Sequence, residues 1–427
     1  MRAKKNASAV ETDIFVSGGG MVGASLALAL AQGGLRVTVV DPLPSEAATD
    51  AQFDGRVSAL AYASTRMYAA LGVWERLAPH AQPIRDILVT DARLGHAPSP
   101  FSLHFDHAEI GEPLGHIVEN RHIRAALYAA IADAPNIDFL APATAAALAI
   151  DDRAAVATLA DGPSPLRSGF GRVGGREIRA RLAVAADGRN SALREAMEIG
   201  TIAWSYPQWG IVTTVEHARP HNGAAYEHFL PSGPFAILPM TGNRSSLVWT
   251  ERIERARAMM ALPDADFARE IATRFGAHLG ATQPVGPRWS YPLGFHLARG
   301  YVRPRFALAG DAAHGIHPIA GQGLNLGLKD AAALAEVVLD AARLGLDYGA
   351  ADILARYERW RRFDSFALAA ATDVLNRLFS NDVAPLRVLR DVGMGIVDRI
   401  APLRRFFMRH AGGELGKLPR LLRGEAA

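Results

Sequence analysis

Residues 306–330 read FALAGDAAHGIHPIAGQGLNLGLKD, and their punctuation decides the fold. The apolar run Phe306-Ala307-Leu308 has the length of a buried strand and ends at Gly310-Asp311, where a turn follows. A second glycine cluster, Gly321-Gln322-Gly323, opens a helix predicted to continue through Ala331 to Val338. Gly310 has no side chain to keep a ligand off the backbone, and Asp311 offers a carboxylate to the hydroxyls of a polyol. Pro318 stiffens the approach to the helix. Gly321 and Gly323 leave its first amide groups bare, and those donors, with the positive end of the helix dipole, favour negative charge. A reduced isoalloxazine, anionic around N1 and C2=O, is such a charge, so the stretch is predicted to hold a flavin.

The start of the chain supplies a second site. Residues 13–17 read as a buried strand, Met21–Gln32 as a helix stopped by Gly33-Gly34, and residues 36–40 as a strand ending in Asp41. Gly18-x-Gly20-x-x-Gly23 falls between the first strand and the helix. Glycines there let a diphosphate approach the helix N-terminus while Asp41 accepts from ribose hydroxyls. The motif leaves FAD and NAD both open. Asp187-Gly188-Arg189-Asn190-Ser191-x-x-Arg194 forms a third turn after a strand. It is read as ligand-facing, against the alternative of a helix capped by Ser191 with Arg194 as a surface charge. Arg56, just after the first βαβ unit, is equally open to contact with a diphosphate or to a surface role.

Composition sets the outer limits. With 427 residues and 49% apolar content the chain can fill about two or three ordinary domains. The absence of cysteine excludes disulfides, thiolate metal sites and thiol nucleophiles, and fits the cytoplasm. A formal charge of +3 calls for no nucleic-acid partner. The N-terminal MRAKKNASAV and the following apolar run do not make a signal peptide or a membrane span, because Asp13 and three glycines interrupt the run. His314 with His317, and His104 with His107, lack a third ligand at metal-binding spacing, so no metal is predicted. Ser17 lies inside a predicted strand and no GxSxG occurs, which argues against a serine nucleophile.

Between these sites the pattern alternates. A helix is expected through residues 68–77, a less regular region over 82–113, and a helix over 122–132. Strands are expected at 143–159 and 176–185, joined by a Gly/Ser/Pro-rich hairpin. IVTTVEH, AYEHFLP, FAILPM and SSLVWT suggest an antiparallel sheet over residues 204–249, followed by helix at 265–279 and nearly all helix after Asp330. The last stretch carries Arg404, Arg405, Arg409, Lys417, Arg420 and Arg423 among Leu, Phe and Met. It reads first as a solvated helix face, with contact to an anionic lipid surface or an acidic partner as the alternative.

Taken in order, the three glycine turns resemble those of the class A FAD-dependent aromatic monooxygenases. His317-Pro318-Ile319-Ala320-Gly321-Gln322-Gly323-Leu324-Asn325-Leu326-Gly327, Gly233-Pro234-Phe235-Ala236-Ile237-Leu238-Pro239-Met240 and Tyr291-Pro292-Leu293 resemble more narrowly the ubiquinone-biosynthesis hydroxylase family. The resemblance implies an α/β fold like that of p-hydroxybenzoate hydroxylase, a Rossmann-like FAD domain interleaved with a mixed or antiparallel-sheet substrate domain and followed by C-terminal helices. It implies an FAD domain over 1–80, 110–195 and 290–340, a substrate domain over 81–109 and 196–289, and a helical region over 341–427. FAD would meet Gly18, Gly20, Met21, Val22, Gly23, Asp41 and Arg56 toward its ADP end, Gly310 and Asp311 at the ribityl chain, with Asp187, Asn120 and Arg124 as further contacts. His317, Pro318, Gly321, Gln322, Gly323, Leu324 and Asn325 would flank the isoalloxazine, and no side chain acts covalently. Asp41 stands where many relatives carry Glu, and Asn120 where more distant ones carry Arg or Gln.

The activity implied is ring hydroxylation of a polyprenylated phenol or quinol, with NAD(P)H or another donor and dioxygen, through a flavin C4a-hydroperoxide. Phe229, Phe235 and Pro239 are expected to orient the ring. A soluble small-phenol hydroxylase and a non-oxygenating FAD-dependent reductase on the same fold are the alternatives. The location expected is the cytoplasm, with contact to the inner membrane or to a biosynthetic complex left open.

Overall fold

The computed structural model describes residues 10–50, 55–92, 102–161, 175–380, 384–414 and 416–427. The first sheet is built on a parallel core. β1 (Val10–Ser17) pairs in parallel with β2 (Val37–Val40) and with β11 (Glu177–Ala185), β2 pairs with β8 (Ile137–Leu140), and β11 with β18 (Phe306–Leu308). β17 (Val302–Arg303) adds an antiparallel edge, and β10 (Ala155–Asp161) joins β11 to β9 (Ala143–Ile150). Strands buried on both faces need continuous apolar runs, as in Ile14-Phe15-Val16 and Ala183-Val184-Ala185. The Gly/Ser/Pro-rich hairpin expected before β11 lies outside the described residues.

The second sheet is mostly antiparallel. It contains β12 (Thr201–His217), β13 (Ala224–Leu230), β14 (Gly233–Met240), β15 (Arg244–Arg252), β16 (Thr282–Ala298) and β19 (His314–Gly315), and it continues through β5 (Asp86–Asp91) to β6 (Ser102–Asp106). The described residues within 82–113 are therefore more regular than expected. Asp86-Ile87-Leu88-Val89 pairs in parallel with β13, so the partner strand supplies the order that the scattered Pro, Gly and His residues concealed. A small third sheet joins β3 (Val57–Ala61), β7 (Gly115–Glu119) and β4 (Gln82–Ile84).

The α-helices are α1 (Met21–Gln32), α2 (Ser45–Thr49), α3 (Tyr62–Ala70), α4 (Trp74–Leu77), α5 (Asn120–Ala132), α6 (Ala192–Ala196), α7 (Ile253–Met260), α8 (Asp264–Phe275), α9 (Gly323–Arg343), α10 (Ala351–Phe379), α11 (Ala384–Arg399) and α12 (Ala401–Ala411). The single helix expected over 68–77 is divided between α3 and α4, because Gly72 adopts a φ of +69° between them. α1 and α9 pack together beside the first sheet, close enough that a Cβ on Gly33 would sit 2.2 Å from Leu339 Cδ2.

A separate core lies on one face of the second sheet, where Phe235, Ile237, Trp249, Phe267 and Ile271 are buried under α7 and α8. Phe235 meets Trp249 edge-on at 6.1 Å. Phe235→Ala should lower unfolding stability by about 3–5 kcal/mol, read from a urea titration; a loss under about 1 kcal/mol would show that this core repacks freely.

Candidate functional site

The three sheets and the C-terminal helices enclose a cavity of about 1350 Å³. That exceeds the roughly 300–1,000 Å³ of a typical small-molecule site, leaving room for more than one ligand. Each glycine turn reaches it differently. Gly18 has a φ of +101°, and a Cβ there would lie 2.3 Å from the Ala186 carbonyl oxygen. A Cβ on Gly23 would lie 1.9 Å from the Gly18 carbonyl oxygen. These two glycines let the strand and helix cross closely. Gly20 has open space around its Cβ position and lines the cavity with Met21 and Val22. α1 has neither a side-chain cap nor an acidic residue in its first turn, so its first amides face the cavity end uncompensated.

Asp41 is half-buried and lies off the cavity wall. Its carboxylate accepts from the Gly19 amide at 2.8 Å and the Leu43 amide at 2.9 Å. Burial raises its pKa, against these two bonds and the nearby Arg124 charge. Asn120 and Arg124 on α5 are buried and line the cavity. Asn120 accepts from the Ser58 hydroxyl at 2.7 Å, which fixes it against β3. Arg56 lines the cavity with its guanidinium 5.8 Å from the Tyr291 ring centre.

The Asp187 turn combines both readings made from the sequence. Ser191 does cap α6, its hydroxyl accepting from the Arg194 amide at 3.0 Å. Arg194 is no surface charge: it is buried and donates to the carbonyls of Arg189 at 3.0 Å and Ala312 at 2.9 Å. Gly188 and Arg189 line the cavity, whereas Asp187 sits behind it, its pKa raised by burial.

The stretch from β18 to α9 forms the adjoining wall, where a Cβ on Gly310 would meet Val22 of α1 at 3.1 Å. Gly310 has a φ of +62°, and its amide donates to buried Asp330 at 3.0 Å. The Asp311 side chain projects exposed into the cavity, while its carbonyl accepts from His296 Nε2 at 2.8 Å. Pro318, Gly321, Gln322, Gly323 and Leu324 line the wall. Gly323 has open space at its Cβ position, and α9 begins without a side-chain cap or an early acidic residue.

Other predicted residues stand elsewhere. Asn325 faces β3 instead of the cavity, accepting from the Ala61 amide and the Ser64 hydroxyl and donating to the Ala59 carbonyl at 2.8 Å. His317 is buried behind the wall, edge-on to Tyr206 at 5.2 Å, with its pKa lowered to about 4 by burial. Phe229 lines the cavity against Phe379, but strand alternation turns Phe235 and Pro239 to the far face of β14 and brings Pro234, Ala236 and Leu238 to the wall instead. His104 pairs with Asp86 and His107 with Asp106, and the described residues contain no cluster of three or more His, Cys, Asp or Glu arranged for a metal.

The sequence reading missed what holds the wall in place. Asp330, fully buried on α9, receives Gly310, His314 Nε2 at 2.5 Å and Arg361 Nε of α10 at 2.8 Å. Burial pushes its pKa up, yet the charges and hydrogen bonds of His314 and Arg361 outweigh it and hold the carboxyl below the usual range. Also missed was the apolar part of the wall, lined by Leu368, Leu375, Phe379, Met394, Phe406 and Phe407, with Phe379 and Met394 clustered beside Ile319. A carboxylate and an arginine 31 residues apart carry no local signal of pairing.

A family model described as "FAD binding domain" matches residues 11–367. Ubiquinone hydroxylase UbiL of Rhodospirillum rubrum is 50% identical over 416 residues, covering 96% of this chain and 92% of that protein. The chain belongs to the FAD-dependent aromatic monooxygenases, in the ubiquinone-biosynthesis hydroxylase family. The 3-demethoxyubiquinol 3-hydroxylase of Escherichia coli is 36% identical, covering 94% of this chain and 98% of that protein. The p-nitrophenol 4-monooxygenase PnpA of Pseudomonas putida superposes with a TM-score of 0.77 over 96% of this chain and 100% of that chain; at 18% identity this likeness concerns the fold, the p-hydroxybenzoate hydroxylase-like α/β architecture.

The cavity fits FAD on three observations: open glycine backbone at Gly20 and Gly323, two uncapped helix N-termini at its wall, and the Asp311 carboxylate projecting between them.

Asp330 gives stability that is fully present above the ordinary carboxylate pKa and lost as the pH falls through its lowered folded value. Urea midpoints should therefore decline below about pH 5, less steeply in Asp330→Asn. Arg361→Met should cost about 3–5 kcal/mol at neutral pH by leaving buried Asp330 short of a partner; a neutral result would refute the pairing.

Proposed function

We propose that this enzyme hydroxylates the aromatic ring of a prenylated phenol or quinol in ubiquinone biosynthesis, with FAD, NAD(P)H or another electron donor, and dioxygen. The observation that carries the reading is one cavity lined both by the open glycine turns and, beside Ile319, by the hydrocarbon of Phe229, Phe379 and Met394. The chemistry that FAD supplies is reductive activation of dioxygen, one atom of which enters the ring while the other leaves as water.

In this reading the α1 amides beside Gly20, Met21 and Val22 hold the diphosphate, and Gly18 and Gly23 make that approach sterically feasible. Asp41, off the cavity wall, acts through the Gly19 amide that it clamps. Arg56, Asn120 and Arg124 add cationic and polar contacts, Asp311 takes the ribityl hydroxyls, and the first turn of α9 offsets negative charge on the ring system. Asn325, Asp187 and His317 act one step back, by holding the segments that make contact. The hydrocarbon end excludes water from the reacting ring and receives the isoprenoid tail. The division into a discontinuous FAD domain, a sheet-borne substrate domain and a C-terminal helical region follows the same allocation.

The apolar end is lined by Phe406 and Phe407 of α12, which are 49% and 41% exposed beside exposed Arg405 and Arg409. No helix among the described residues is long and apolar enough to cross a membrane. In our reading this face rests on an anionic bilayer from which the substrate enters. Full-length protein should sediment with anionic phospholipid vesicles, and Phe406→Ser/Phe407→Ser should weaken that by about tenfold or more; equal recovery of both proteins would remove the docking surface.

Gly20→Ala should fold normally but lose bound flavin, because its methyl group points at the ligand, whereas Gly23→Ala should fail to fold. Circular dichroism and flavin absorbance separate the two. Oxygen-18 from labelled dioxygen should appear in a prenylated phenol product; flavin oxidation without incorporation would favour a reductase.

A further inference from the structure

The second sheet places one acidic side chain in the middle of an apolar wall. In register across five strands lie Val89 of β5, Glu227 of β13, Ala236 of β14, Val248 of β15 and Val212 of β12, and all five line the cavity. The β13 neighbours on the same face, Ala225 and Phe229, are apolar and line it too. Among the described residues the Glu227 carboxyl has no hydrogen-bond or ion-pair partner. Such a group in hydrocarbon surroundings is destabilising until a donor meets it, and here the open direction is the cavity.

We infer that Glu227 holds the substrate's phenolic hydroxyl, accepting its hydrogen bond and then its proton as the ring is hydroxylated. This rests on the phenol-hydroxylase reading of the cavity. In the transfer the phenolic O–H bond breaks, its electron pair stays on the ring oxygen, and a new O–H bond forms on a Glu227 carboxyl oxygen. The phenolate so formed is the more electron-rich ring. When the carbon that has gained oxygen releases its hydrogen as a proton to the second oxygen atom, which leaves as water, Glu227 returns its own proton to the ring oxygen and the hydroxyl is restored.

The electrostatic setting suits a base. Burial alone raises the Glu227 pKa to about 7. Ionisable groups on the adjoining strands are engaged elsewhere: Asp91 with Arg390 at 2.8 Å, Asp86 with His104 at 2.8 Å, and His228 with Thr90 at 2.8 Å. On β15 Glu251 is bound to Arg274 at 3.4 Å, and Tyr226, which also lines the cavity, sets its ring against His278 at 4.4 Å. On α10, Asp373 accepts from Tyr206 and pairs with Arg377. β14 carries no ionisable residue.

The test uses full-length, FAD-loaded protein, with a phenol bearing a long 2-alkyl chain and its methyl ether as probes, followed by flavin absorbance. Glu227→Gln and Glu227→Ala are compared with the unchanged protein after thermal melting and flavin content confirm that each is folded and loaded. The phenol should bind about tenfold or more tighter than the ether, as for a hydrogen bond to a charged group, and Glu227→Ala should abolish the difference. Glu227→Gln can still accept a hydrogen bond but not a proton. It should keep much of the binding preference, lose about 100-fold or more in kcat, and lose the rise in kcat/KM through pH about 7. An undiminished preference in Glu227→Ala, or an unaltered kcat and pH profile in Glu227→Gln, would overturn the assignment. If the unchanged protein binds the phenol without hydroxylating it, the wider functional reading fails, and the probe comparison still decides whether Glu227 holds the hydroxyl.

Discussion

Much of the site hangs on one buried carboxylate. Asp330 joins the Gly310 turn, His314 and α10 through three hydrogen bonds made where the carboxylate is inaccessible to water. α10 in turn braces the strand before that turn, since the Tyr357 hydroxyl donates to the Leu308 carbonyl at 2.7 Å. A charge in that position is stable only while its partners stay in place, so the β18 turn, the start of α9 and the middle of α10 must move together or not at all. The wall gains rigidity while the Asp311 carboxylate stays exposed to the cavity and Gly323 keeps open space at its Cβ position.

The same economy recurs on the other wall. Gly18 and Gly23 serve the crossing of strand and helix, Asp41 clamps Gly19, and Asn325 pins α9 to β3, so residues that look like ligand contacts are partly the frame around the ones that face the cavity. Gly20 and Gly323 remain open because their neighbours absorb the packing demands. The cavity combines backbone amides and polar groups with the hydrocarbon of the second sheet and of α10 to α12, a lining that suits both a charged dinucleotide and an apolar chain.

Local motifs were legible wherever the chemistry is local. The turn after β1, the turn after β18 and the helix following Gly323 each depend on glycines a few residues apart, so their positions could be read directly. Phe235 and Pro239 could not be placed, because a strand's alternation says which residues share a face but not which face meets the ligand. β5 and β6 were hidden among irregular residues for a related reason: β5 takes its order from β13, more than a hundred positions away, and β6 from pairing with β5. Arg194 was open to an alternative reading as a surface charge because its two carbonyl acceptors, on Arg189 and Ala312, converge only in the folded chain.

What the amino-acid order determined by itself was the βαβ start, the three glycine turns, the absence of thiol chemistry and the class of cofactor those turns suit, all consequences of backbone freedom and short-range periodicity. Tertiary structure alone decided which side chains share the cavity, that Asp330 carries the wall, that the C-terminal helices line its apolar part, and that Glu227 has no partner among the described residues. Those facts depend on pairing and burial between distant segments, and no short window of sequence records how far a carboxylate will end up from its nearest charge.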